Sequence, residues 1–270
     1  MKLGDFEVNR MGFGAMRVLG NEDIWGPPKD PSNAKKVLRR AHELGANFFD
    51  TAESYGPHTD EMIIAEAMHP YPKDLVIGTK CGLVRPKPSR WDEDGRPEKL
   101  RKDLEGSLKR LKLDCLHLWQ LHAPDPRVPF EEQVGVLAEA RRQGKVRHVG
   151  LSNVSVRQLE QARKIVPIVS VQNRYNVGDR SSEDVLQACE KAGIAFLPWY
   201  PLGDGAVLKK KKIVEMARRR KATPAQVALA WLLAKSPVML PIPGTSSVAH
   251  LKENMGAASV RLDDEDIASL

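Results

Sequence analysis

Short apolar runs alternate with longer amphipathic stretches along the whole chain. That alternation predicts repeated strand–helix units around a parallel sheet. Candidate strands lie near Gly12–Ala15, Asn47–Asp50, Leu75–Thr79, Cys115–Gln120, Val146–Gly150, Ile168–Gln172, Ala195–Pro198 and Val238–Leu240. Lys2 to Phe6 and Glu7 to Arg10 read as a small hairpin ahead of them. Helical spacing fills the gaps. Val37, Leu38, Ala41 and Leu44 form one stripe, with Ser32 as the expected cap and Gly45 past the end. Leu100, Leu104, Leu108 and Leu111 form a second stripe within Pro97 to Leu111. Phe130 to Arg142 predicts a helix closed by Gly144, and Thr223-Pro224 opens another with a cap residue before a proline.

Eight strands, each followed by a helix, predict an α/β protein: a single (β/α)8 TIM barrel with an N-terminal β-hairpin cap, one domain over residues 1–270. Such barrels routinely reach about 250 residues as one domain. An open doubly wound sheet is the alternative. Gly12-Phe13-Gly14 does not continue to the third glycine that a dinucleotide-binding sheet carries.

In a barrel of this kind the chemistry sits at the C-terminal ends of the strands. Strand two runs into Asp50, Thr51, Ala52, Glu53, Ser54, Tyr55 and Gly56; strand three meets Lys80, and strand four meets His122. Ser152 and Asn153 follow strand five, Gln172 and Asn173 end strand six, and Trp199 to Gly203 follow strand seven. Loop composition explains some of this polar rim, but not why Asp50, Lys80 and His122 directly terminate apolar runs. An isolated tyrosine, with a pKa of about 10, is a poor proton donor at neutral pH. A neighbouring ammonium lowers a phenol's pKa, and Lys80 is placed to do this to Tyr55. Asp50 would hold Lys80 and keep it charged. His122 would hydrogen-bond a substrate oxygen. This set polarises a carbonyl but supplies no electrons, so a hydride donor must be a cofactor. Met16, Trp25 and Trp91 fall on rim loops and are candidates for a substrate pocket beside Tyr55 and His122; core packing is the competing reading for all three.

Composition narrows the class. The 41% hydrophobic and 29% charged fractions fit an ordinary globular protein. No apolar run approaches the roughly 18 residues of a membrane span, and Met1 to Arg10 lacks the apolar core of a secretory signal. The expected location is cytoplasmic. Cys81, Cys115 and Cys189 are scattered, with a spacing that suits neither a metal site nor a disulfide framework. Much of the net charge of +7 lies in Lys209 to Lys212 and Arg218 to Lys221, with no interleaved aromatics. That is the pattern of a solvated helix face, not of a nucleic-acid surface. The expected partner is a small carbonyl compound, and the expected state a monomer or weak homo-oligomer.

Taken together and in order, Phe49 to Gly56, Thr79-Lys80, Leu121-His122, Val149 to Asn153, Val171 to Asn173, Pro201 to Gly203 and Ile242 to Thr245 resemble the aldo-keto reductases. Gly26-Pro27-Pro28 and Ile242 to Asn254 are similar to the bacterial, pyridoxal-reductase-like branch. The resemblance covers nearly the whole chain. It implies reduction of aldehydes or ketones with NADPH, with Asp50, Tyr55, Lys80 and His122 as a catalytic tetrad and Tyr55 as general acid. It implies that Ser152, Asn153 and Gln172 bind the nicotinamide amide and that Trp199 stacks on its ring. Gly14, Ala15, Met16 and Asp50 would lie along the cofactor, and Tyr200, Pro201, Leu202 and Gly203 would pass under its pyrophosphate. Ile242, Gly244, Thr245, Ser246 and Ser247 would meet its adenosine phosphate, where a helix N-terminus offers free N–H groups. Glu253 and Asn254 would reach the adenine. Ser246 stands where many relatives carry Arg or Lys for the 2′-phosphate, and His250 is the nearest basic match, so NADH is the alternative cofactor. The loop after strand seven, Leu202 to Leu208, is short. Little chain follows the last barrel helix, so the pocket wall that longer relatives draw from that region is expected from elsewhere. Two other functions compete: a Schiff-base aldolase using Lys80, and a non-enzymatic NADP-sensing regulatory subunit.

Overall fold

The computed structural model describes residues 1–270. A two-stranded antiparallel hairpin, β1 (Lys2–Leu3) and β2 (Phe6–Glu7), opens the chain. The barrel follows: β3 (Phe13–Gly14), α1 (Pro31–Glu43), β4 (Phe48–Asp50), α2 (Thr59–Met68) and β5 (Val76–Cys81). A second hairpin, β6 (Leu83–Val84) and β7 (Asp92–Glu93), is inserted before α3 (Pro97–Leu111). Then come β8 (Leu116–Leu121), α4 (Phe130–Arg142), β9 (Val146–Ser152), α5 (Val156–Arg163), β10 (Ile168–Arg174), α6 (Glu183–Ala192) and β11 (Ala195–Trp199). Four helices complete the chain: α7 (Lys211–Arg220), α8 (Pro224–Lys235), α9 (Val248–Met255) and α10 (Asp264–Ser269).

Seven strands form one sheet in the order β11-β10-β9-β8-β5-β4-β3, and every pair is parallel. The eighth stave is where the expectation of a regular strand over Val238–Leu240 is corrected. Only Met239 bridges to Phe196, although Phe196 N–H donates to Val238 O at 2.9 Å and Leu240 N–H to Phe196 O at 2.8 Å. Pro237 and Pro241 bound this segment on either side, and Pro243 follows. A proline has no N–H to give a ladder. The stave still closes the ring, because Gly12 N–H donates to Pro241 O at 2.9 Å.

The helix boundaries follow local chemistry. The cap of α1 is Asp30, whose side chain accepts from Asn33 N–H, and not Ser32, which lies inside the first turn. Pro31 at the first position supplies the fixed φ that a helix start needs. Thr223 and Gln226 form a reciprocal capping box on α8 as its sequence predicts. The N-terminal strands are shorter than expected because the chain turns at Gly4, with φ +63°. The basic runs lie on and around α7. Arg219 and Arg220 are not free there, since both pair with the buried Asp266 of α10.

Strand parity divides the barrel interior into two levels. Near the N-terminal end Phe48, Val76, Leu118, Leu197 and Leu240 meet Leu3 and Val8 of the hairpin in one apolar cluster. One step up, Asp50, Lys80, Gln120, Ser170 and Gln172 are all buried and polar. Outward-facing residues such as Phe49, Ile77, Trp119 and Val171 join the larger core under the helices. The hairpin thus plugs one end, and the polar level opens toward the other.

Leu3 is fully buried within that plug. We expect Leu3→Ala to cost about 2–5 kcal/mol, as other buried leucine truncations do. Chemical denaturation would check this, and an unchanged midpoint would show that the hairpin is not part of the cooperative core.

Candidate active site

Lys80 organises the rim. Its side chain is fully buried, and its ammonium meets three acceptors: Asp50 Oδ2 at 2.6 Å, Thr51 O at 2.9 Å and the Tyr55 hydroxyl at 3.1 Å. Burial works to lower the Lys80 pKa, but the Asp50 charge and the Asp50 and Tyr55 bonds overcome it, so the lysine is pushed up and stays cationic. The other Asp50 oxygen accepts from Gln172 Nε2 at 2.8 Å and Gln120 Nε2 at 3.3 Å. These neighbours come from β4, β5, β8 and β10, whose register sets Asp50 beside Gly78 and Lys80 beside Gln120.

Lys80 acts to lower the Tyr55 pKa, as expected, but a larger effect opposes it. Burial raises the pKa, and the net direction is upward. Tyr55 therefore keeps its proton at neutral pH in the free protein. His122 is driven well below its ordinary value by burial and then by the Lys80 charge, so it is a neutral imidazole. Its Nδ1 lies 3.4 Å from the Ser54 hydroxyl. If Nδ1 accepts that contact, the ring proton is on Nε2, an assignment made from the network. Tyr55, His122 and Trp91 meet edge to face, with centroids 5.7 Å, 6.1 Å and 6.4 Å apart.

A cleft of about 230 Å³ runs from this cluster across the rim. It gathers Gly14, Met16, Asp50, Tyr55, Gln172, Trp199, Tyr200, Pro201, Leu202, Ile242 and Gly244 from the expected positions. Its floor is backbone on backbone. A Cβ on Gly14 would stand 2.6 Å from Ile242 O, and one on Gly244 would stand 2.4 Å from Gly14 O. Thr245 and Ser246 line an adjoining polar recess with Arg17, Gly20, Asn21 and Glu22. Ser247 caps α9 through His250 N–H at 3.4 Å. Ser152 and Asn153 stand behind the cleft: Asn153 Nδ2 donates to His122 O at 2.9 Å and Ser152 Oγ at 3.1 Å, while Trp199 Nε1 donates to Asn153 Oδ1 at 3.0 Å. Ala15 is fully buried and Gly203 occupies a turn with φ +56°. The structure does not bring His250, Glu253 or Asn254 to the cleft walls. The His250 side chain is exposed and Asn254 is buried.

Two functional-looking arginines were missed in the sequence. Arg17 follows the first barrel strand by three residues, and its guanidinium reaches Asp204 at 2.9 Å on the loop after β11. Tyr200 Oη donates to the same Asp204 at 2.8 Å, so the pair straps the cleft. The position three residues past Gly14 could have flagged Arg17. Arg85 gave no such sign. It is buried after β6, with its guanidinium 3.7 Å from the Trp91 ring centroid and 5.5 Å from that of Trp25. It donates to the carbonyls of Asp23, Ile24 and Arg90, which ties the loop after β3 to the β6–β7 hairpin. Through Trp91, this inserted hairpin packs against Tyr55 and His122.

A family model described as the aldo/keto reductase family matches residues 10–270. The chain is an aldo-keto reductase. This family member is 48% identical to an oxidoreductase of Schizosaccharomyces pombe, over 100% of the chain and 88% of the relative. It is 44% identical to the pyridoxine 4-dehydrogenase of Escherichia coli, over 99% of the chain and 96% of the relative. These matches place this aldo-keto reductase in the pyridoxal-reductase-like branch, as an oxidoreductase of carbonyl compounds. Among solved structures, a thermostable aldo-keto reductase in complex with the inhibitor epalrestat superposes with a TM-score of 0.87 at 33% identity, covering 99% of this chain and 97% of the other. The barrel and its hairpin are thus the family's fold.

The Lys80–Asp50 pair is fully desolvated, so losing one partner leaves a buried charge uncompensated. We expect Lys80→Met to cost about 3–5 kcal/mol. Adding Asp50→Asn to it should restore part of that loss. Urea unfolding of the single and double variants tests the coupling, and strict additivity would contradict it.

Proposed function

We propose that this enzyme reduces small aromatic aldehydes of the pyridoxal kind with NADPH, the 1–270 barrel acting as one domain. The observation that carries the reading is the buried Asp50–Lys80–Tyr55 chain opening into one cleft beside a neutral His122. The relationship to a pyridoxine 4-dehydrogenase and the aromatic cluster of Tyr55, Trp91 and His122 support the substrate class.

The residues present fit the cofactor. Gly14 and Gly244 leave a bare backbone floor, and the N-terminus of α9 adjoins it with free N–H groups. Arg17 supplies the cation that Ser246 does not, lining both the cleft and its polar recess. NADPH, when bound, supplies the hydride. Gln172 has committed its Nε2 to Asp50, which leaves its Oε1 to accept from the carboxamide.

The chain's own residues then handle the proton. A substrate carbonyl oxygen seated between Tyr55 Oη and His122 Nε2 accepts hydrogen bonds from both. As negative charge develops on that oxygen, Tyr55 gives up its proton. The resulting phenolate lies against the Lys80 ammonium, which Asp50 keeps charged. Tyr55 thus holds its proton until the reaction creates the demand for it. Oxidation of the alcohol would use the same groups in reverse. The aldolase alternative fares poorly, because a Schiff base needs a neutral amine and Lys80 is held cationic by three acceptors. The regulatory alternative predicts tight cofactor binding without turnover.

Nicotinamide absorbance followed with NADPH and a panel of aldehydes including pyridoxal tests the reading. Binding of NADPH with no turnover on any carbonyl would favour the regulatory role, and absence of cofactor binding would sink the proposal. Tyr55→Phe should lower kcat by roughly 10²–10⁴-fold, the usual worth of a general acid, with NADPH affinity unchanged. Separately, Arg17→Ala should weaken NADPH by about 10- to 100-fold, the equivalent of one charge-assisted bond, and NADH much less. Equal losses for the two cofactors would place Arg17 at the pyrophosphate and not at the 2′-phosphate.

A further inference from the structure

Behind the tetrad lies a carboxyl that the mechanism does not use. Asp60 is in the first turn of α2 and has no exposed surface. Its Oδ2 accepts from the Thr51 hydroxyl at 2.6 Å, and its backbone N–H donates to Tyr55 O at 3.3 Å. Its Oδ1 has no hydrogen-bond partner in the protein. A buried polar atom left unpaired costs stability, and a leucine or alanine would cost α2 nothing of the kind. Its neighbour Glu61 is equally buried, but it is fully engaged with the Thr79 hydroxyl at 2.6 Å and Arg110 Nε at 2.6 Å. The two carboxyls therefore grip the threonines that adjoin Asp50 and Lys80. The Thr51 grip leads to the chemistry, since the Thr51 carbonyl is itself an acceptor for Lys80 at 2.9 Å.

We propose that Asp60 is a positioning residue for the Tyr55–Lys80 pair. Through its side chain it fixes Thr51, whose carbonyl aims the Lys80 ammonium. Through its backbone N–H it fixes the Tyr55 main chain. The inference rests on the reading of Tyr55 as the acid. Removing the grip frees the Thr51 peptide to rotate, and the 3.1 Å contact between Lys80 and Tyr55 lengthens.

The same residue connects the site to pH. The charged groups around Asp60 are Glu61 on its own helix, Asp50 at the end of β4 and Lys80 near the end of β5. From α3, Arg110 is already spent on Glu61, and from α1, Lys35 pairs with Glu66. Burial outweighs the Thr51 bond and lifts Asp60 to about 7. Below that pH Asp60 is neutral. Above it, a second negative charge lies near Tyr55 and raises the phenol further, so proton donation weakens. The folded state binds this proton more tightly than the unfolded chain does. Its contribution to stability is therefore present at low pH and is lost as pH rises from the ordinary carboxyl range through about 7.

The test uses Asp60→Leu, Thr51→Val and Asp60→Asn in the full chain, with NADPH and pyridoxal as probes. Asp60→Leu and Thr51→Val should each lower kcat by about 10- to 100-fold, the scale of a misplacement near 1 Å, with NADPH affinity unchanged. Asp60→Asn keeps an acceptor for Thr51, so its kcat should stay near wild type while the neutral-range inflection in the pH profile disappears. A readout free of turnover accompanies these: the melting temperature of Asp60→Asn should gain on wild type as pH rises from 5 to about 7.5. Wild-type kcat in Asp60→Leu overturns the proposal, as does an equal loss in Asp60→Asn or an Asp60→Leu effect that persists undiminished in a Tyr55→Phe background. Full turnover of Tyr55→Phe alone would remove the acid reading itself, whereas an inert Tyr55→Phe beside a fully active Asp60→Leu would overturn only the positioning.

Discussion

The structure turns on one desolvated cation. Lys80 has no contact with solvent, and a buried ammonium survives only where acceptors surround it. Asp50 supplies the charge, Thr51 a carbonyl and Tyr55 a hydroxyl. Each of those acceptors needs its own support. Gln172 and Gln120 hold the far oxygen of Asp50, and α2 holds Thr51 and the Tyr55 backbone. The satisfied network is rigid, and its rigidity is what keeps a phenol within reach of a cation without letting it ionise early.

A barrel is a suitable host because of strand parity. Alternate residues face inward, so a strand can be apolar at one level and polar at the next. Phe48 and Asp50 on β4, and Leu118 and Gln120 on β8, are two residues apart and serve opposite purposes. The apolar level, sealed below by Leu3 and Val8, gives the polar level a dry floor. A dry floor strengthens every electrostatic term above it. Stability and chemistry are therefore stacked along one axis, as expected where the sites lie at the C-terminal ends of the strands.

Much of this was legible in the sequence where the feature is periodic or local. The strand order, the α3 stripe and the Thr223 cap depend on neighbours along the chain, and the structure reproduces them. The stretch from Asp50 to Tyr55 is legible too, because its polar groups follow directly on an apolar run, and the structure places Asp50 and Tyr55 on one cleft. Three things were hidden. The eighth stave reads as a strand, but the prolines on either side of it keep its ladder to a single bridge. The direction of the Tyr55 shift depends on burial, which spacing does not reveal. Arg17 and Asp204 stand on either side of the eighth stave, where the ring closes, and Arg85 meets Trp91 across the β6–β7 turn. No periodicity marks such pairs: ring closure brings the first together, and a short non-repeating turn the second.

The two hidden arginines tie rim segments together in different ways. Arg85 has no carboxylate partner within ion-pair distance; its donors go to carbonyls of two segments and its face to indole rings. It acts as a rivet between the loop after β3 and the β6–β7 hairpin, using planar geometry that a lysine lacks. Arg17 works differently. Its pairing with Asp204 is partly exposed, with 36% and 58% of the two side chains accessible, and an exposed pair contributes little stability. Such a pair breaks at small cost. Arg85 is thus fixed through backbone carbonyls, and Arg17 is held by a solvent-screened ion pair.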